Sequence, residues 1–163
     1  MIIVKRSKNL LFKNLKFKCS LGRNGVTKNK VEGDQCTPSG IYKLNQVFYR
    51  ADRIKKITTK LKKIKIKKNM GWCDDPLSKK YNQLIKIPYK FSYEKLYRKD
   101  HIYDIVVVLN YNMKPVVKKK GSAIFMHIAK KNYSKTLGCI GLKKNHLLEI
   151  LNKVKKNNKI KII

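Results

Sequence analysis

"GSAIFMHIAKKNYSKTLGCIGL", residues 121–142, decides how the rest of the chain is read. Its first part, "SAIFMHI", is apolar, aromatic and β-branched, which suits a strand. Its last part sets Gly138 directly before Cys139, and a glycine lets the backbone enter a conformation closed to other residues. His127 closes the strand, and "IAKKNYSK" can bring the chain back beside it. The thiolate, not the thiol, is the attacking species, so a nucleophilic cysteine needs a base. A histidine within hydrogen-bond reach can take that proton and later return it to a leaving amine. A tight turn under the sulfur can aim backbone N–H groups at an oxyanion. The same two residues also suit a strand pair with no chemistry, since a lone cysteine is commonly a small buried hydrophobe.

Outward from this stretch, the period of the apolar residues is mostly two. "IIVKR", "KFKCSL", "GIYKLNQVFY", "KIKIKK", "YDIVVVLNY" and the terminal "KIKII" read as further strands. "VVVL", residues 106–109, has no alternation, which predicts a strand buried on both faces. One helix is expected, in "KKNHLLEILNKV", with Leu147, Leu148, Ile150, Leu151 and Val154 on one face, Asn145 as its cap and His146 exposed in its first turn. Residues 53–68 are ambiguous. Ile54, Ile57, Leu61 and Ile64 have helical spacing, but Thr58-Thr59 favours an extended edge segment. The expectation is one domain over residues 1–163, mainly β with a late helix.

The formal charge is +32, from 41 Lys and Arg against nine Asp and Glu. Such a field attracts anionic polymers without specificity. Only five of the bases are arginine, the better fork for phosphate and base edges, so no specific nucleic-acid site is expected. No run of apolar residues is long enough for a membrane-spanning helix. "MIIVKRSKNLLF" has no signal-peptide core. The scarce acids and glycines gather in "EGDQCTPSG", "GWCDDP", "YRKDHIYD" and the opening stretch. Cys19, Cys36, Cys73 and Cys139 lack CxxC spacing, which argues against a zinc knuckle. Asp74, Asp75, Asp100, His101 and Asp104 are expected in turns and in salt bridges to lysines rather than around a metal.

His127 followed by Thr136-x-Gly138-Cys139 resembles the catalytic motif of the L,D-transpeptidases of the YkuD type. "EGDQCTPSGIYKL", "GWCDDPLSKKYNQLI" and "YEKLYRKDHIYDIVVVLNYN" precede it as in a small bacterial branch of that family, so the resemblance spans roughly residues 17–155. It implies a β-sandwich of mixed sheets and ping-pong acyl transfer on peptidoglycan stem peptides, without cofactor or metal. Cys139 resembles the nucleophile, His127 the general base, and the amides around Gly138 and Cys139 the oxyanion donors. Thr136 matches the family's Ser/Thr as a brace of the loop and, with Trp72 and Arg98, is a candidate for substrate contact. Two positions depart from the commoner pattern: Leu137 stands for a second histidine, and Gly141 for an Arg or Asn associated with substrate binding. A carboxypeptidase on the same site and a non-catalytic, lysine-rich polyanion binder are the alternatives. The implied substrate lies in the cell envelope, although no export signal is visible in the chain.

Overall fold

Strands account for most of the ordered backbone of the computed structural model, which describes residues 1–163. The first three, β1 (Ile2–Lys5), β2 (Asn9–Phe12) and β3 (Leu15–Ser20), form an antiparallel meander. The very short β4 (Val26–Thr27) and β5 (Thr37–Pro38) pair in parallel ahead of the long β6 (Gly40–Tyr49). Next come β7 (Lys62–Lys65), β8 (Met70–Cys73), β9 (Leu84–Lys86) and β10 (Tyr93–Lys95). Then follow β11 (Ile105–Leu109), β12 (Phe125–Ile128) and β13 (Ile140–Leu142). The helix α1 (Lys144–Lys153) and β14 (Lys159–Ile162) end the chain.

The main sheet runs β11-β12-β13-β3-β2-β1-β14-β6-β7, and β11 also pairs with β6. That extra pairing closes the ladder into a barrel-like circuit and leaves β7 as an edge, bonded in parallel to β6. Closure removes most of the free edges that a sheet of this size would otherwise expose. β10, β8 and β9 form a separate small sheet, whose Trp72 packs edge-on against Phe48 and Phe125 of the main sheet.

β11 is buried on both faces, as its unbroken apolar run predicts. Ile105, Val107 and Leu109 enter the larger core, while Val106 and Val108 enter a smaller one beneath the small sheet. The pleat sends alternate residues to opposite faces, so neighbouring side chains of β11 serve different cores. β12 does the same, with Met126 in the larger core and Phe125 in the smaller.

The helix presses Leu147, Ile150 and Leu151 into the larger core, with Val154 at its C-terminal end. Its start differs from the expected cap. Lys143 is the capping residue and makes no side-chain capping bond, so Asn145 lies within the first turn. His146 is half-buried rather than exposed, stacked on Phe17 with ring centroids 4.5 Å apart. In the ambiguous stretch, Ile54, Ile57 and Leu61 are buried in the larger core without forming a helix. Only Lys62–Lys65 becomes regular, as the edge strand.

Candidate active site

β12 and β13 are parallel neighbours with Met126 opposite Ile140 and His127 opposite Gly141. This register sets Cys139, the residue before β13, level with Phe125, so His127 lies two residues further along the neighbouring strand and on the same face. The turn depends on Gly138, whose φ of +136° suits a residue without a side chain. A Cβ there would stand 2.8 Å from the carbonyl oxygen of Cys36. Thr136 holds the turn from within. Its hydroxyl donates to the Cys139 carbonyl at 2.6 Å and accepts the Gly138 N–H at 3.2 Å. Thr136 is therefore engaged with its own loop, as a brace. The Gly138 amide is engaged with it, whereas no acceptor within the chain takes the Cys139 amide.

Cys139 and His127 are 8% and 5% exposed, so both are largely removed from water. Burial, reinforced by the negative field of Glu94, pushes the Cys139 thiol up to about 12, against the pull of the Phe125 amide and Lys30. Burial also carries the His127 imidazole down to about 4, partly opposed by its bond to the Ile128 carbonyl. Near neutral pH the resting pair is thus a thiol and a neutral imidazole, not an ion pair. The thiol donates to the Ala123 carbonyl at 3.1 Å. His127 Nδ1 lies 2.9 Å from the Ile128 carbonyl, which can only accept. Nδ1 must therefore carry the proton, and Nε2 keeps a free lone pair.

His127, Cys139, Thr136 and Arg98 line one cavity of about 250 Å³. A larger open depression of about 730 Å³, bordered by Lys5, Arg6 and Ile163, contains none of them. Trp72 does not line the cavity. It is 2% exposed in the smaller core, with Nε1 donating to Asn82 Oδ1 at 3.0 Å, so the expected substrate contact does not fall to it. Arg98 does reach the wall, with Nε and Nη2 bound to the two oxygens of Asp100 at 2.9 and 2.7 Å.

Arg23, Glu94 and Tyr103 are among the lining residues that escape a reading of the sequence. Each belongs to a scarce type or to a dense stretch, but nothing in the linear order joins it to Cys139. The stretch Arg98–Asp100, between Glu94 and Tyr103, is held by two other arginines. Arg50 donates to the Arg98 carbonyl at 2.7 Å, and Arg53 to those of Lys99 and Asp100 at 3.1 Å each. Arg50 also binds Asp52, and Arg53 binds Asp104, which takes His101 on its other oxygen. The aspartates of this region thus pair with arginines, not with the expected lysines. Asp75 serves a turn, accepting the Leu77 amide. The four cysteines are all free thiols; Cys19 and Cys73 are buried, and Cys36 is half-buried.

Position 141 is closed to a side chain. A Cβ on Gly141 would meet Ser20 Oγ at 2.2 Å and Ala129 Cα at 3.2 Å. Leu137, by contrast, is 65% exposed at the rim of the cavity.

A mainly β domain carrying a cysteine and a histidine on adjoining strand ends is the class these features define. The chain belongs to the family of L,D-transpeptidase catalytic domains, the YkuD family, whose model matches residues 1–162. Among solved structures it is similar to the helical cell shape determining protein Pgp2 from Campylobacter jejuni, at 16% identity and a TM-score of 0.51, over 99% of this chain and 46% of that one. It is also similar to an L,D-transpeptidase from Mycobacterium smegmatis, at 11% identity and a TM-score of 0.47, over 99% of this chain and 57% of that one. The chain thus spans about half the length of these structures. No curated protein matches it significantly.

Proposed function

We propose that this chain is a cysteine-dependent acyltransferase, an L,D-transpeptidase that cross-links peptidoglycan stems. The observation that carries the reading is the convergence of His127 and Cys139 on one cavity, with the only free imidazole lone pair on Nε2. His127 Nε2 takes the thiol proton while Cys139 Sγ attacks the carbonyl of the third residue of a tetrapeptide stem. Because the resting pair is neutral, proton transfer accompanies attack instead of preceding it. The Cys139 amide, free of any acceptor in the chain, stabilises the oxyanion, and D-alanine leaves with the proton returned by His127. An amine of a second stem then attacks the thioester, His127 takes its proton, and the thiol is restored. Such base catalysis is worth about 10²–10⁴-fold in rate. Family membership supports the same chemistry. The similarity to a cell shape determining protein fits a role in cell-wall organisation.

The test is mass spectrometry of tetrapeptide muropeptides after incubation with wild-type protein and with Cys139→Ala. A cross-linked dimer with loss of D-alanine, from wild type alone, is the expected result. Tripeptide alone would make the protein a carboxypeptidase. No product on several stems, together with salt-sensitive binding of anionic polymers that survives Cys139→Ala, would favour the binding reading.

A further inference from the structure

The cavity sets one anion among cations. Arg23, Arg98, Lys130 and Lys135 line it, and Glu94 is the one carboxylate in its wall. In a chain with nine acids against 41 bases, the lysine-rich composition does not account for a carboxylate here.

The position is built. Glu94 stands on β10 opposite Trp72 of β8, so the small sheet fixes where it projects. Its Oε2 accepts the Tyr103 hydroxyl at 2.6 Å, and no donor of the chain reaches Oε1. The Arg98 guanidinium, in the same cavity wall, gives Nε and Nη2 to Asp100. Burial, with Asp74 as a like charge, raises the Glu94 carboxyl above its ordinary range, and Tyr103 and Arg98 only partly offset this. A half-buried carboxylate in that condition gains from an arriving cation.

The side on which it stands is informative. The Tyr103 ring that carries Glu94 packs edge-on against the His127 imidazole, with centroids 5.3 Å apart. An amine attacking the thioester must give a proton to that imidazole, so it approaches from the side of His127.

We propose that Glu94, held by Tyr103, is the subsite for the ammonium group of the acyl acceptor and selects a cationic amine over water. The inference rests on the acyl-transfer reading and concerns its second half-reaction. The bound ammonium gives one proton to the Glu94 carboxylate and becomes a neutral amine. Its nitrogen forms the amide bond with the thioester carbon, its second proton passes to His127 Nε2, and the C–S bond breaks. The sulfur takes that proton back, and Glu94 releases its own to water as the amide leaves.

The test is the ratio of amide to tripeptide product from one tetrapeptide donor, across a range of concentrations of an acceptor stem with a free side-chain amine. This ratio is internal to each variant, so a general loss of acylation or of folded protein cancels. Glu94→Gln should lower it by about tenfold or more at subsaturating acceptor, through a raised KM for the amine. Tyr103→Phe should lower it less, because the carboxylate remains. The wild-type ratio retained in both variants would overturn the proposal, as would a wild type that hydrolyses every donor and aminolyses none. Absence of a Cys139 acyl-enzyme in the intact mass of wild type would remove the acyl-transfer reading itself. An acyl-enzyme with unaltered partition would remove only the amine subsite.

Discussion

The Thr136 hydroxyl donates to the carbonyl oxygen of Cys139 at 2.6 Å, clamping the turn that carries the thiol. Its lone pairs face the Gly138 amide at the same time. Thr136→Val keeps the shape and loses both bonds. It should cost about 1–3 kcal/mol of stability, and the displaced thiol should slow acyl-enzyme formation by about tenfold or more. Thr136→Ser should stay near wild type. Thermal melting and an intact-mass time course read the two effects separately. Wild-type kinetics in the valine variant would remove the clamp from the mechanism.

Gly138 makes a second, independent demand on the same turn. An alanine there combines a φ of +136° with a Cβ 2.8 Å from the Cys36 carbonyl oxygen. Neither the strain nor the close contact can be relieved by a side-chain rotation, because both involve backbone. Gly138→Ala should destabilise by about 1–3 kcal/mol and shift the turn. Denaturant unfolding beside the Thr136 series measures it, and an unchanged midpoint would contradict the geometry.

The limits of the sequence follow from which signals are local. Strands such as β6, β11 and β12 announce themselves because alternation or an unbroken apolar run is written into consecutive residues. β9 and β10 have only three residues each, too few for a period, and the small sheet they form with β8 is invisible until it packs. Ile54, Ile57 and Leu61 mislead because burial alone can produce helical spacing in an irregular segment. Cys139 and His127 stand out by scarcity and order, but Glu94 and Tyr103 reach them from another sheet and another loop. Trp72 invites a binding role as the lone tryptophan. Its fate is decided by Asn82, which takes its N–H and also the Ala123 amide on one oxygen.

That placement separates Trp72 from Arg98 experimentally. Trp72→Phe loses the bond to Asn82 and leaves space in the smaller core, so stability should fall by about 2–4 kcal/mol. The KM for the donor stem should not change in the protein that remains folded. Arg98→Ala touches the cavity wall and should raise KM about threefold or more with a smaller loss of stability. Steady-state kinetics with melting curves on both variants decide it, and a raised KM in Trp72→Phe would return that residue to the substrate.

His127 ties stability to pH. Its folded value is carried down to about 4, chiefly by burial, while an unfolded histidine titrates near about 6.5. Between these values the unfolded chain binds a proton that the folded chain does not, so stability rises with pH through the window. The stability is fully present above about 6.5 and is lost as pH falls toward 4, by an amount on the order of 3 kcal/mol. His127→Gln should flatten this part of the profile. Urea unfolding at pH 7, 5 and 4 compares the two proteins, and parallel profiles would mean that other groups govern the acid limb.

Position 141 is where restoring the commoner family residue should fail. Gly141 lies in β13 between Ser20 of β3 and His127 of β12, and any Cβ would come within 2.2 Å of Ser20 Oγ. Gly141→Arg or Gly141→Asn should therefore destabilise the sheet by about 2 kcal/mol or more instead of raising activity. Ser20 Oγ is buried without a partner, so Ser20→Ala removes one obstruction and leaves no hydrogen bond broken. Ala129 still stands 3.2 Å away on the other side, so the double variant Ser20→Ala/Gly141→Asn should recover only part of the lost stability. Melting temperatures of the single and double variants measure that recovery. A stable Gly141→Arg protein with faster turnover would show that the sheet can open here, and that the cationic rim of Arg23, Arg98, Lys130 and Lys135 does not replace the absent side chain.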